Sequence, residues 1–472
     1  MSSPRSGLAL ALLGLLSLHA PPVLGAPDTP AILIFGGGWG PEGTQLSIER
    51  HVEALAGVLA ARRPTVLFAA GSPEVRAVQV ATTEPDPAGA LLGLLFDRLD
   101  AIDVRYRPSA VRASGPASRQ PLLDAMDRLG TSAGGLVVFG AGHGSPASDE
   151  QREALDLWGP DDKLTVDALA AHLDRQPPRG PMALVLGQCH SGGFTALMRP
   201  GARARGRLSS PPRCVLAAVP ADRPASGCTA DAEDPSARSY LALMAEALAS
   251  PARSDLDGDG RVSLAEAHAF ARIEDDTIDV PVSSSEGFLE ASARGASVGG
   301  RKLAHLLAAA SPTERAVLER ALPPALRTLT PSAVKARLEE LELRAKEAEE
   351  EELSQAGLKD ALRRRLLDRL LERWPELGNP YHRAARALLA GDAAEVVAWA
   401  ERQPELAQLR ARVDAEAQRA EERFALEREA ARLERWVRAA ERVVHEERFA
   451  RTASSAERAA LAALVECEAM VP

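Results

Sequence analysis

Two stretches decide how this chain folds: Gly135-Leu-Val-Val-Phe-Gly-Ala-Gly-His143-Gly144-Ser145 and Met182-Ala-Leu-Val-Leu-Gly-Gln-Cys189-His190-Ser191-Gly192-Gly193-Phe194. Each is a short aliphatic, β-branched run that stops at small residues, the pattern of a parallel strand buried on both faces before it turns into a loop. Upstream, Ala31-Ile-Leu-Ile-Phe35 and Thr65-Val-Leu-Phe-Ala69 read the same way. Between them, apolar residues recur at helical spacing from Leu46 to Arg62, at Ile48, Val52, Leu55, Val58 and Leu59. Downstream, Val215-Leu-Ala-Ala-Val219 adds a further strand. This alternation predicts an α/β domain, a mainly parallel sheet with helices on both faces. The carboxyl ends of the strands in such sheets carry their chemistry, which singles out His143 and Cys189.

The frame around these strands is that of a large, acidic, apolar-rich chain. Its 472 residues, 46% of them hydrophobic, suffice for two or three domains. A formal charge of −10 argues against a general nucleic-acid binder. Residues 1–26 have the plan of an export signal: Arg5, an apolar run from Leu8 to Leu18, then small residues ending at Ala26. No later segment is long and apolar enough to span a bilayer, so the mature protein is expected in the periplasm or outside the cell with no membrane span. Of the four cysteines, Cys214 and Cys228 flank one strand and its following loop and could close a small ring, or remain two buried thiols. The glycine cluster Gly36–Gly43 lacks the spacing of a nucleotide-binding loop and reads as a sharp turn.

A thiol near an imidazole is a nucleophile with its base. Small residues around Cys189 leave room for a substrate backbone, and glycines on both sides of His143 keep it accessible and free the Gly144 amide to donate to an oxyanion. His190, adjacent to the cysteine, is a competing base that points elsewhere. A strand ending in His-Gly followed by a strand ending in Cys-His-Ser-Gly resembles the caspase-like cysteine peptidases, the group that includes caspases, metacaspases and legumain-type enzymes. Ala221-Asp222-Arg223-Pro224-Ala225-Ser226-Gly227-Cys228 and the opening from Gly36 to Glu49 are similar to stretches of secreted bacterial members. The resemblance covers about residues 31 to 290. It implies that Cys189 attacks a peptide carbonyl, that His143 serves the leaving amine, that the Gly144 and Cys189 amides hold the oxyanion, and that the substrate is a protein or peptide. Where the family commonly has an acidic residue two before the nucleophile, this chain has Gly187. The specificity pocket is therefore open, with Asp222 and Arg223 as candidates and a surface ion pair as their plainer role. Transfer of the acyl group to an amine would use the same dyad.

The second motif is Asp255-Leu-Asp257-Gly-Asp259-Gly260-Arg261-Val-Ser263-Leu-Ala-Glu266. It has the key positions of an EF-hand calcium loop: carboxylates at 1, 3 and 5, glycine at 6, a backbone carbonyl at 7 (Arg261), Ser263 at 9 and Glu266 at 12. Ca2+ is the expected cofactor, and a helix follows through Arg272. The next segment, from Ile273 to Ser284, resembles the stretch with which the family returns to the sheet.

From about Leu303 the texture changes to Ala, Leu, Glu and Arg at helical spacing, broken once at Trp374–Tyr381. The expected organisation is a signal over 1–26, a caspase-like domain over 27–302 and an all-α region over 303–472. That last region suits a helical hairpin or short coiled coil that packs on the first domain, self-associates or binds a partner. The run Glu347–Glu352 reads as a solvated helix face. Two functions fit: an exported calcium-supported cysteine endopeptidase, or an inactive calcium-binding scaffold on the same fold whose helices recruit a partner.

Overall fold

The computed structural model describes residues 29–81, 87–96, 104–231, 233–292, 298–379 and 382–472; the expected export signal, 1–26, lies outside them. Strands β1 (Ala31–Gly37), β2 (Thr65–Phe68), β5 (Leu136–Ser145), β8 (Met182–Leu186) and β9 (Arg213–Ala217) form a parallel sheet in the order β2-β1-β5-β8-β9. A short antiparallel strand, β10 (Val282–Ser283), closes the β9 edge. β3 (Val78–Ala81) and β4 (Val104–Arg107) make a separate two-stranded ribbon, while β6 (Ala154–Asp156) and β7 (Lys163–Thr165) continue from the far end of β5.

Side chains alternate across the sheet as a two-residue period requires. Ile32, Ile34, Val137, Phe139, Ala183 and Val185 face one core, while Leu33, Phe35, Leu136, Val138, Leu184 and Leu186 face the other. The first core is covered by α1 (Leu46–Val58), α5 (Tyr240–Ala249) and α7 (Leu264–Glu274); the second by α3 (Arg119–Leu129) and α4 (Val166–Arg175). The helices start where local chemistry favours it. Thr165 Oγ1 accepts from the Ala168 amide at α4, and Ser263 and Glu266 form a reciprocal capping box at α7. Helix α1 stops at Val58 rather than Arg62, its last residues tightening into a 3-10 turn before Arg63 at φ 51°. β9 begins at Arg213 and ends at Ala217, two residues earlier than its apolar run suggested, because its register follows Met182–Leu186 of β8.

Beyond α2 (Pro87–Phe96), the one-turn α6 (Pro251–Ser254) and α8 (Ser284–Ser292), the chain is helical: α9 (Leu303–Ala309), α10 (Pro312–Arg320), α11 (Pro331–Arg373), α12 (Arg383–Glu401), α13 (Pro404–Thr452) and α14 (Ser455–Glu468). α11 and α13 are about 65 and about 74 Å long at 1.5 Å per residue. They run antiparallel, as the ion pairs Lys335–Glu441, Lys359–Glu416 and Arg369–Glu405 show. This pair forms an arm with two apolar seams. One, with Trp436, Val437 and Val443 of α13, joins α10 and Val334, Leu338 and Leu341 of α11. The other encloses Leu366, Leu370 and Leu406 with Leu91, Leu92 and Leu95 of α2, a helix supplied by the β3–β4 connection. The Glu347–Glu352 run lies on α11, largely exposed.

The end of the chain returns to the sheet. Cys467 on α14 is disulfide-bonded to Cys214 on β9, with a Cα–Cα separation of 6.0 Å. This rules out the Cys214–Cys228 ring, one of the two readings the sequence left open. Cys214 lies in the first core with Cys467, while Cys228 packs against the same core as a free thiol, its Sγ 3.8 Å from the Gly142 carbonyl. The Glu468 carboxylate, also buried, accepts from the Ser285 amide and hydroxyl at the start of α8.

Candidate functional site

Two places gather chemistry-bearing residues: the carboxyl edge of the sheet and the acidic loop before α7. At the edge, β5 delivers His143 opposite Asp156 of β6. The ring is stacked against Trp39, centroids 4.9 Å apart, and its Nε2 lies 2.9 Å from Gln45 Oε1. Burial pushes the imidazole pKa down, opposed by the charge of Asp156. Cys189 follows β8 by three residues, in a turn that His190 completes at φ 60°. Its Sγ accepts from the Ala225 amide at 3.1 Å, and burial pushes the thiol pKa up. Gly144 and Cys189 are brought together, since a side chain at 144 would overlap the Cys189 carbonyl. His190 turns away, donating its backbone amide to Arg223 O and placing Nδ1 2.9 Å from Ala221 O.

The geometry corrects the peptidase expectation. Among the described residues no hydrogen bond or ion pair joins Cys189 to His143. Gln45 occupies the imidazole and Ala225 the thiol, and both pKa displacements favour neutral partners over the thiolate and imidazolium that an activated pair requires. The disulfide among the described residues is Cys214–Cys467, and it lies away from the Cys189 turn. The endopeptidase and acyl-transfer readings fall together. The two pocket candidates do not form a pocket pair either: Asp222 is exposed, while Arg223 is held by Glu434 of α13 at 2.6 Å.

In the acidic loop the carboxylate oxygens of Asp255, Asp257 and Asp259 lie within 4.8 Å of one another. Asp255 accepts from the Gly258 and Gly260 amides, Asp257 from the Asp259 amide, and Asp259 from the Arg261 amide. Gly258 and Gly260 stand at φ 81° and 82°, which side chains resist, so the tight winding depends on them. Glu266, only 4% exposed, turns its carboxylate back to the amides of Leu256, Asp257 and Ser263. Of the sequence-derived loop residues the three aspartates are gathered, while Glu266 is engaged by backbone amides, Arg261 is exposed and Ser263 caps α7. The entering helix is only the single turn α6, and α5 packs on α7 through contacts that include Tyr240 Oη and His268 Nδ1 at 2.8 Å. An all-oxygen donor set with three converging carboxylates and a fourth in the following helical turn fits a hard cation such as calcium.

Sequence reasoning missed the groups that connect these places. Arg435 of α13, 1% exposed, donates to the carbonyls of Asp279 and Asp275. Asp279 in turn accepts from the Ser226 amide at 2.7 Å, beside the Ala225 that holds Cys189. A cavity of about 760 Å³ lies next to this joint, with Ser226, Arg238 and Ile278 on the body and Phe424 and Arg428 on the arm. A lone arginine within an Arg-rich helix gives no sequence signal of its destination. Compared with known proteins, the chain matches no family model and no curated protein. No helix among the described residues is long and apolar enough to cross a membrane.

Proposed function

We propose that this protein is a non-catalytic calcium-binding scaffold, an α/β body that carries one calcium site at 255–266 and presents a helical arm to partner proteins. The observation that supports it most is the convergence of the Asp255, Asp257 and Asp259 carboxylates within 4.8 Å in a loop whose Leu256, Asp257 and Ser263 amides donate to the buried Glu266 carboxylate. Calcium would be held by these carboxylates, by Glu266 and by the Arg261 carbonyl, supplying the positive charge that relieves their mutual repulsion. The chain's own part is to pre-wind the loop with Gly258 and Gly260 and to fix its exit with the Ser263 cap. On this reading the motifs that resemble caspase-like peptidases mark shared architecture without the hydrolytic step. Export, expected from residues 1–26, and the Cys214–Cys467 disulfide suit an oxidising, calcium-rich compartment. The cavity between body and arm, lined by Arg238, Ile278, Arg428 and the exposed Phe424, is the proposed place of partner contact.

A ligand that binds only the folded state stabilises it, by about 2.7 kcal/mol at a hundred times its dissociation constant. Millimolar calcium is therefore expected to raise the thermal midpoint of the chelator-treated protein, and Asp259→Asn is expected to remove the increment. An unchanged midpoint in the wild type would count against the calcium site.

A further inference from the structure

The acidic loop and the arm meet in one helix. α7 begins inside the loop, with Ser263 as its cap and Glu266 in its first turn, and runs as a rigid rod of about 16 Å. Its first amide, Leu264, donates to the Met470 carbonyl near the end of the chain. Near its far end Arg272 donates to Glu314 of α10 at 2.8 Å and to the Arg435 carbonyl of α13 at 3.3 Å. The turn that follows, 275–279, is gripped by the arm: Arg435 donates to the carbonyls of Asp275 and Asp279 and lies 3.8 Å from the Asp275 carboxylate, and Arg432 pairs with Asp276.

This joint is buried and incompletely satisfied. Arg272 Nε, Asp275 Oδ2, Glu314 Oε2 and Arg435 Nε are all enclosed, and none has a hydrogen-bond partner among the described residues. A buried ionic network with polar atoms left over contributes little net stability, since desolvation offsets most of the attraction. Its geometry is therefore responsive to small movements of the helix that carries Arg272.

We propose that calcium on the 255–266 loop and docking of the arm are thermodynamically coupled through α7, with the Asp275–Asp279 turn and Arg435 as the joint. The inference rests on the calcium reading above and adds what the ion does. By fixing the first turn of α7, calcium sets the position of Arg272 and of the turn beyond it, and so tightens the arm against the body. Coupling of this kind is reciprocal: whatever loosens the arm weakens calcium binding by the same factor.

The test is amide hydrogen exchange followed by mass spectrometry on the full chain with its disulfide intact, in calcium and in chelator, beside a calorimetric calcium titration of the same samples. In the wild type, calcium is expected to slow exchange by about fivefold or more in the 430–440 segment of α13 and in 275–279, as well as in the loop itself. Arg435→Met is expected to bind calcium more weakly by a similar factor and to lose the remote protection. Should that variant fail to fold, Arg432→Ala, a partly exposed position, is expected to give a smaller change in the same direction. Calcium uptake by the wild type with protection confined to 255–266 would overturn the coupling while leaving the calcium reading intact. No uptake by the wild type would overturn both.

Discussion

The chemistry open to Cys189 and His143 is decided by what surrounds them. Burial raises the thiol from its ordinary 9.0 and lowers the imidazole from 6.5, so near neutral pH both are uncharged. Alkylation of Cys189 by iodoacetamide, read by peptide-resolved mass spectrometry, is expected to be slow at pH 7 and to rise only above pH 9, with the same profile in His143→Ala. A slowing of about a hundredfold in that variant would instead mean a working base. His268 gives a second test at this scale. It is buried against Tyr240, and its pKa lies well below 6.5 through desolvation, then the charges of Arg272 and Arg442. A histidine whose folded pKa is depressed lends stability that is present above pH 6.5 and lost as pH falls below it, because the unfolded chain takes up the proton first. The stability advantage of wild type over His268→Gln, measured by urea unfolding, is therefore expected to shrink from pH 7.5 to 5.5; a constant difference would show that His268 titrates normally. The glycine-flanked imidazole and the loop carboxylates were legible in the sequence because neighbours in the chain define them. Gln45 was not, since it reaches His143 from 98 residues away through the turn after β1.

Among the elements, the parallel strands were readable from apolar runs because strands buried on both faces leave no polar positions to confuse the pattern. The pairing of Cys214 was not, because α14 returns to β9 over a separation of 253 residues, and nothing local marks that distance. A crosslink closing so long a loop is expected to stabilise by about 2–5 kcal/mol, chiefly by restricting the unfolded chain. Cys214→Ser/Cys467→Ser is expected to lower the urea midpoint accordingly and to free α14 for early proteolysis near Ala453. An unchanged midpoint would mean that the packing of Leu464 and the Glu468–Ser285 bonds suffice without it. The arm depends on its apolar seams in the same direct way. Leu366, fully buried between α2 and α12, is expected to cost about 2–5 kcal/mol on truncation to alanine.

Over the whole molecule, the C-terminal helices are less an appendage than their composition implied. α14 and the base of α13 complete the body's first core through Phe449, Leu464 and Cys467, while the longer reach of α11 to α13 projects as the arm, with α2 packed on it. Composition marked where the texture changes but carried no information on which helix returns, because docking depends on Arg435, Arg432 and Glu434 meeting groups more than 150 residues earlier. Those contacts place the acidic loop, a sheet edge and an arm in one connected structure. The measurement that tests this account most directly is the calcium content of purified, chelator-treated full-length protein after dialysis against buffered millimolar calcium, compared with Asp257→Asn/Asp259→Asn. The account predicts a single bound ion per chain, lost in the double variant; a folded wild type that retains no calcium would contradict it.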